Sequence, residues 1–240
     1  MMTNSTEKKS NKKIKVECDG SYRVEGNIPL VHKTQIVSEF GEPLTWVKDD
    51  EYPVSETYYL CSCGHSADKP FCDQTHFTID YDSTESEDMR PTAERQITYP
   101  GGTRITVKFD ESLCMDSGFC CTRTQCIEDL VKQTQDPLTR SQVIAMVERC
   151  PSGALVYSIE ENGPEIDPDY PEQIAVTTEI TSEGPIEGPL WVTGGIPVIR
   201  CDGQMLERRK RVTLCRCGKS KNKPLCDGTH RADAESLRRR

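Results

Sequence analysis

The chain has 240 residues and a net charge of −9, with 35% hydrophobic and 29% charged residues. So little apolar material argues against one large core and for two or three small domains that bound metal helps to hold together. No run of about 18 apolar residues offers a membrane span, and the lysine-rich start MMTNSTEKKSNKKIKV lacks the apolar stretch of a secretory signal, so a reducing cytoplasm is the expected compartment.

Residues 1–12 read as a basic, flexible tail. Over residues 13–82 the segments IKV, YRV and TYYL alternate apolar and polar positions between Gly-Pro punctuation, which predicts short strands of a small β-rich unit. DSTESEDMRPTAE predicts an extended linker over 83–96. Residues 97–160 form a different unit: RITVKF is a strand and CIEDLVKQ a short helix. Val143, Ile144 and Val147 recur at helical spacing before a Cys-Pro pair, and ALVYSI closes a small α+β domain. A second acidic connector is expected from Glu160 to Glu187, which holds nine acidic and no basic residues; its linker core is 161–172. Residues 173–240 return to the first pattern, with IAV, LWV and RVTL.

The two outer units are a repeat. GSYRVEGNIPL (residues 20–30) and GPLWVTGGIPV (residues 188–198) coincide at five of eleven positions, Gly20/Gly188, Val24/Val192, Gly26/Gly194, Ile28/Ile196 and Pro29/Pro197. From the shared proline to the next cysteine the first copy is about fourteen residues longer, and VSEFGEPLTWVKDDEYPVSE is the expected place for the excess. Charge is uneven: residues 199–240 carry thirteen Lys or Arg against five Asp or Glu. That basic end reads as a docking face for an acidic redox partner or as counter-charge to an anionic group; without aromatic stacking residues it does not point to nucleic acid.

The 13 cysteines are grouped at short spacings, not scattered as a disulfide framework scatters them. CSCGHSADKPFCDQTH places Cys61, Cys63, Cys72 and His76 at the same offsets at which CRCGKSKNKPLCDGTH places Cys215, Cys217, Cys226 and His230. Two cysteines one residue apart on an extended chain point to the same side and can grip one iron; a Cys and a His four apart share a helical face and can hold a second. Asp73 and Asp227 stand where a helix N-cap would. A Cys3His zinc site is the competing assignment, although zinc pairs usually leave two to four residues between ligands. His32 and His65 are not needed as ligands, and Cys18 and Cys201 read as ordinary strand residues.

The second cluster matches C-x-C-x-x-S-x-x-x-P-x-C-D-G-(S/A/T)-H at every defined position and so resembles the CDGSH, or NEET, iron-sulfur family; the first departs only at Gln74, where the family has Gly. The resemblance implies a [2Fe-2S] cluster on Cys61, Cys63, Cys72 and His76 and another on Cys215, Cys217, Cys226 and His230. It also implies that the tandem copies pair as an intramolecular pseudo-dimer, a monomer with an internal pseudo-two-fold axis. The middle unit, with SGxC at Ser117 to Cys120 and CPSGAL at Cys150 to Leu155, resembles the divergent single-cluster ferredoxin domain. That resemblance implies a [4Fe-4S] or [3Fe-4S] cluster on Cys114, Cys120 and Cys150, with Ser117 at the second ligand position and Cys126 a better candidate than Cys121 for the missing fourth thiolate.

The fold class expected is therefore α+β, two CDGSH units around a ferredoxin-like domain. No phosphate-binding glycine loop or catalytic triad spacing is present, and the expected role is a non-enzymatic electron carrier that works with a redox partner protein, a reductase or a ferredoxin-like acceptor. The alternatives are a donor, store or sensor of clusters and a zinc-stapled interaction module.

Overall fold

The computed structural model describes residues 11–160 and 162–232; the basic tail expected over 1–12 lies almost wholly outside them. In chain order the elements are β1 (Lys13–Val16), β2 (Tyr22–Glu25), β3 (Leu30–Val37), β4 (Pro43–Tyr52), β5 (Thr57–Leu60), the single turn α1 (Thr92–Arg95), β6 (Ile97–Thr98) and β7 (Thr106–Phe109). They continue with α2 (Ile127–Leu130), α3 (Pro137–Arg149), β8 (Leu155–Ser158), β9 (Gln173–Thr181), β10 (Gly184–Thr193), β11 (Val198–Ile199) and β12 (Arg211–Leu214). The fold is α+β, with three sheets ordered β11-β1-β2-β5, β12-β10-β9-β3-β4 and β6-β7-β8.

The first two sheets are one design built twice with a strand exchanged. β1, β2 and β5 pair antiparallel in one copy, as β9, β10 and β12 do in the other. β3 of the first copy then pairs in parallel with β9, Leu30 opposite Ile174, while β11 of the second copy pairs in parallel with β1, Val198 opposite Ile14. The entry bonds match: Ile174 N donates to Pro29 O and Ile14 N to Pro197 O, each at 2.9 Å. The pseudo-dimer is thus strand-swapped, and separating the copies would strip β11 from one sheet and β3 with β4 from the other, baring an edge on each.

Alternation explains why so hydrophilic a sequence still builds a core. Ile14 and Val16, Tyr22 and Val24, and Tyr58 and Leu60 face inward from three four-residue strands. They meet Leu30, Ile174, Leu190, Val192, Val198 and Leu214 in one continuous cluster. Burying each such side chain is worth roughly 1.5–3 kcal/mol.

The excess residues of the first copy form an arm. β3 is eight residues long where β11 has two, and it pairs with β4 from Leu30 to Val37 as a hairpin. Trp46 of β4 lies 5.8 Å from Trp191 and 5.7 Å from Phe119, ring to ring, so the arm bridges the second copy to the middle unit. In that unit β6, β7 and β8 run antiparallel. Asp136 caps α3, accepting from Thr139 N at 2.9 Å ahead of Pro137 in the first turn. Arg211 of β12 is fully buried and donates to the carbonyls of Val147 and Glu148 at the end of α3 and of Leu155 at the start of β8.

The acidic connectors are strapped down. Ser86 and Glu87 donate their amides to Lys223 O, Tyr170 donates to Glu148 O, and Asp167 pairs with Arg211. The expectation of a connector reaching Glu187 is corrected: residues 173–187 belong to β9 and β10, a hairpin of nine and ten residues. Net charge misled there, because Glu179 is fully buried and ion-paired with Arg231. Much of the basic end is likewise turned inward: Arg200 faces Glu85 and Glu87, and Arg216 donates to Gly188 O and Thr177 O. Among the described residues no helix is long and apolar enough to cross a membrane.

Candidate metal centres

β5 and β12 end one residue before a cysteine pair. Cys61 and Cys63 present their sulfurs 3.6 Å apart, and Cys215 and Cys217 present theirs at 3.8 Å. The chain then loops out and returns: Cys61 N donates to Pro70 O and Cys215 N to Pro224 O, while Cys72 N and Cys226 N donate back to Tyr59 O and Thr213 O. Inside each loop a serine, Ser66 or Ser220, donates to the carbonyl of Phe71 or Leu225 at 2.7 Å. Asp73 accepts from Ala67 N and Thr75 N, and Asp227 accepts from Lys221 N and Thr229 N. The aspartates therefore staple the loop to the turn that follows; in the first copy that turn is a three-residue 3-10 helix, Thr75–Phe77, whose cap is Gln74.

The return brings the second pair into place, Cys72 Sγ to His76 Nδ1 at 3.5 Å and Cys226 Sγ to His230 Nδ1 at 3.5 Å. These separations test the fit of a metal. Bonds of about 2.3 Å to sulfur and about 2.0 Å to nitrogen at tetrahedral angles put two sulfurs roughly 3.8 Å apart and a sulfur and a nitrogen roughly 3.6 Å apart. Each pair suits one metal, and among the described residues no three His, Cys, Asp or Glu side chains gather around a single ion. Burial pushes the Cys72 and Cys226 thiols up, so thiolates at these positions need a cation beside them, which a bound metal supplies.

The two copies hold their histidines differently. His230 Nε2 is 3.0 Å from Glu179 Oε1, and Glu179 also pairs with Arg231. Among the described residues His76 Nε2 has no hydrogen-bond partner, and it lies 3.6 Å from Asp19, whose side chain is 32% exposed. Ile14 opposes Val24 as Ile174 opposes Val192, so Asp19 and Glu179 are the same position of the repeat, five residues past each isoleucine. Glu179 is bonded to its histidine, whereas Asp19, held by the amide and hydroxyl of Ser21, stops short of its own.

The motifs touch each other and the middle unit. A Cβ on Gly64 would lie 2.7 Å from Cys217 O, and one on Gly218 would lie 2.4 Å from Cys63 O, so the loops meet backbone to backbone across the pseudo-axis. Tyr22 of the first copy donates to Cys215 O in the second at 2.7 Å. Gly228 has φ +81°, and a Cβ there would sit 2.9 Å from Met115 O, in the middle unit's cysteine loop. Asn222 donates to Ser112 O beside it. Gln74, the counterpart of Gly228, has φ 69° and is exposed. The departure at Gln74 thus has a steric reason: only the second copy has a neighbouring unit against this backbone.

In the middle unit Cys114, Cys120 and Cys150 line one pocket with Phe109, Ser117 and Leu155. Burial, with the neighbouring Cys150 and Cys114 thiols, pushes Cys120 up to about 11. Ser117 is buried, and its carbonyl accepts from Gln35 of β3 at 3.4 Å. Cys126 does not reach the pocket. The suggestion that it supplies the fourth ligand is corrected, since it pairs with Cys121 as a disulfide across a tight turn, Cα to Cα 4.0 Å. Cys18 and Cys201, read as unremarkable strand residues, lie in turns of the two copies and are likewise paired, Cα to Cα 4.9 Å. His65 is exposed, and His32 bonds Asp49 and Thr178, away from both motifs.

Comparison with known families agrees with this architecture. The family model for the iron-binding zinc finger CDGSH type matches residues 19–77 and 187–231, and the model for the divergent 4Fe-4S mono-cluster matches residues 101–160. The chain carries two CDGSH-type units around a divergent 4Fe-4S unit. No curated protein and no solved structure matches it significantly. Four residues outside the CDGSH motifs shape these sites without standing out in the sequence: Glu179, Asp19, Tyr22 and Gln35. Extending the repeat comparison downstream from IKV and IAV would have paired Asp19 with Glu179. No spacing rule points to Gln35, whose amide links β9 to the middle loop by accepting from Ile180 N and donating to Ser117 O.

Proposed function

We propose that this CDGSH-type protein is a cytoplasmic electron carrier, not an enzyme, with three centres. Two [2Fe-2S] clusters are held by Cys61, Cys63, Cys72 and His76 and by Cys215, Cys217, Cys226 and His230. A [4Fe-4S] or [3Fe-4S] cluster is held by Cys114, Cys120 and Cys150. When bound, such clusters supply one-electron redox centres, and a neutral imidazole in place of a thiolate raises the reduction potential. The observation that carries the reading is the packing of all three ligand sets in one body, the second motif touching both the first motif and the middle loop. The chain's own part is to fix geometry and exclude water. Serine and aspartate bonds hold the cysteine loops, Glu179 holds His230, and the fold keeps Cys61, Cys63, Cys215 and Cys226 buried.

Iron and sulfide analysis with EPR at graded reduction tests this: two [2Fe-2S] signals and one cubane-type signal are expected. A colourless protein holding stoichiometric zinc refutes it. The loose hold on His76 favours a second reading, donation of the first cluster to an acceptor. Incubating the holo-protein with an apo-ferredoxin decides between them, cluster movement favouring donation and reversible reduction without loss favouring the carrier.

A further inference from the structure

The three ligand sets are not equally placed toward solvent. Around the second motif Cys226 and Gly228 are buried, and Met115 and Asp116 of the middle unit lie against Gly228. Around the first motif the matching face is open: Cys72 is half-buried and Asp73 and Gln74 are exposed. Phe77 follows His76 with its ring 4.2 Å from the imidazole, yet it is 66% exposed. A large aromatic side chain left in water against a buried group is the kind of anchor that interfaces use.

The surroundings of Phe77 are acidic. Tyr81, whose ring lies 6.4 Å from that of His76, is flanked by the exposed Asp80 and Asp82. With Asp73 they make three exposed carboxylates, and residues 72–89 contain no Lys or Arg. Lys223, which lies over the Tyr81 ring, is buried and donates to Ser220 O. His76 stands directly behind this face: it is only 8% exposed, and its buried Nε2, 3.6 Å from Asp19, has no hydrogen-bond partner among the described residues. The corresponding nitrogen of His230 is taken by Glu179.

We propose that the face formed by Phe77, Asp73, Asp80 and Asp82 is where the protein docks a redox partner protein with a basic surface, and that electrons enter or leave through the first CDGSH unit. The proposal rests on the electron-carrier reading above. It places the centres in the order middle unit, second CDGSH unit, first CDGSH unit, because the backbone contacts run from Met115 to Gly228 and from Gly218 to Cys63. The transfer is one electron per encounter: a reduced centre is oxidised, a ferric acceptor becomes ferrous, and no bond or proton changes hands. Complementary charge speeds such encounters and makes them sensitive to salt.

The probe is a basic c-type cytochrome. Affinity is measured by calorimetry between oxidised holo-protein and ferricytochrome, which cannot react, and the transfer rate by stopped flow with dithionite-reduced holo-protein. Affinity and rate are both expected to fall at least five-fold in Asp80→Lys and in Phe77→Ala, and on raising salt from about 0.01 M to about 0.15 M. Glu39→Lys, the same charge reversal on the exposed arm, is expected to change neither more than two-fold. Ferricyanide, a small acceptor, separates the two readings. Wild-type holo-protein that gives no electron to ferricyanide overturns the carrier reading. Transfer to ferricyanide together with cytochrome affinity and rate unchanged within two-fold in Asp80→Lys and Phe77→Ala overturns the docking face.

Discussion

Exchanging Gly228 and Gln74 between the two motifs is expected to have opposite consequences, although the motif spacing treats the positions alike. A non-glycine residue in the left-handed region costs about 1 kcal/mol, and the chain already accepts that cost at Gln74, where φ is 69°. At Gly228 the same φ cost is joined by a clash: the new Cβ would lie 2.9 Å from Met115 O, 3.0 Å from Asp116 Cβ and 3.1 Å from Met115 C. Two of those atoms are backbone, so the middle loop must retreat, which adds about 1–3 kcal/mol of overpacking. Gly228→Gln should therefore destabilise the holo-protein by roughly 2–4 kcal/mol, whereas Gln74→Gly should stay within about 1 kcal/mol of wild type. Urea unfolding followed by far-UV circular dichroism reads the stability. EPR power saturation of the reduced protein reads whether the middle centre still relaxes the second CDGSH centre, and that coupling should weaken only in Gly228→Gln. If both variants lie within about 0.5 kcal/mol of wild type and the relaxation is unchanged, the steric account of Gly228 and the docking of the middle unit on the second motif are wrong.

Glu179→Gln removes the charge that holds His230, and support of this kind is worth about 10–100-fold in metal affinity. Loss of the second cluster to a chelator should accelerate by about that factor, while Asp19→Asn changes loss of the first cluster less than about three-fold; equal effects would refute the asymmetry. Arg211→Ala leaves three carbonyls and Asp167 without their buried partner and should cost about 3–5 kcal/mol in the same urea assay; a loss under about 1 kcal/mol would refute its bracing role. Burial pushes Glu87 up to about 7 from 4.5, against the opposing pull of its own backbone amide and of Arg200, which is ion-paired with it. The folded state thus binds this proton more tightly than the unfolded chain does. Its contribution to stability is full below about 4.5 and is lost as pH rises through about 7. Glu87→Gln should stabilise the protein at pH 8 relative to wild type and hardly at pH 4; a pH-independent difference would contradict the assignment.

The Cys-Cys and Cys-His pairs, the repeat and the three units are legible in the sequence because each is a local pattern. One residue between two cysteines, three between a cysteine and a histidine, and alternation within a four-residue strand are set by backbone geometry wherever the segment lies. The acidic residues from Glu160 to Glu187 show where local reading stops: composition cannot separate a solvated carboxylate from Glu179, whose burial depends on Arg231 and His230. Nor can spacing show that β3 and β11 change sheets, since that exchange is decided by which edge strand each meets. The same limit applies to Cys126 and Cys121, and to Cys18 and Cys201, whose pairing across 183 residues exists only because the copies fold against each other. What the sequence by itself determined is the inventory, two Cys3His motifs and a three-cysteine unit. What only the tertiary structure decided is their inequality: the middle unit lies against Gly228 and leaves Gln74 in water, so two near-identical motifs differ in what can reach them.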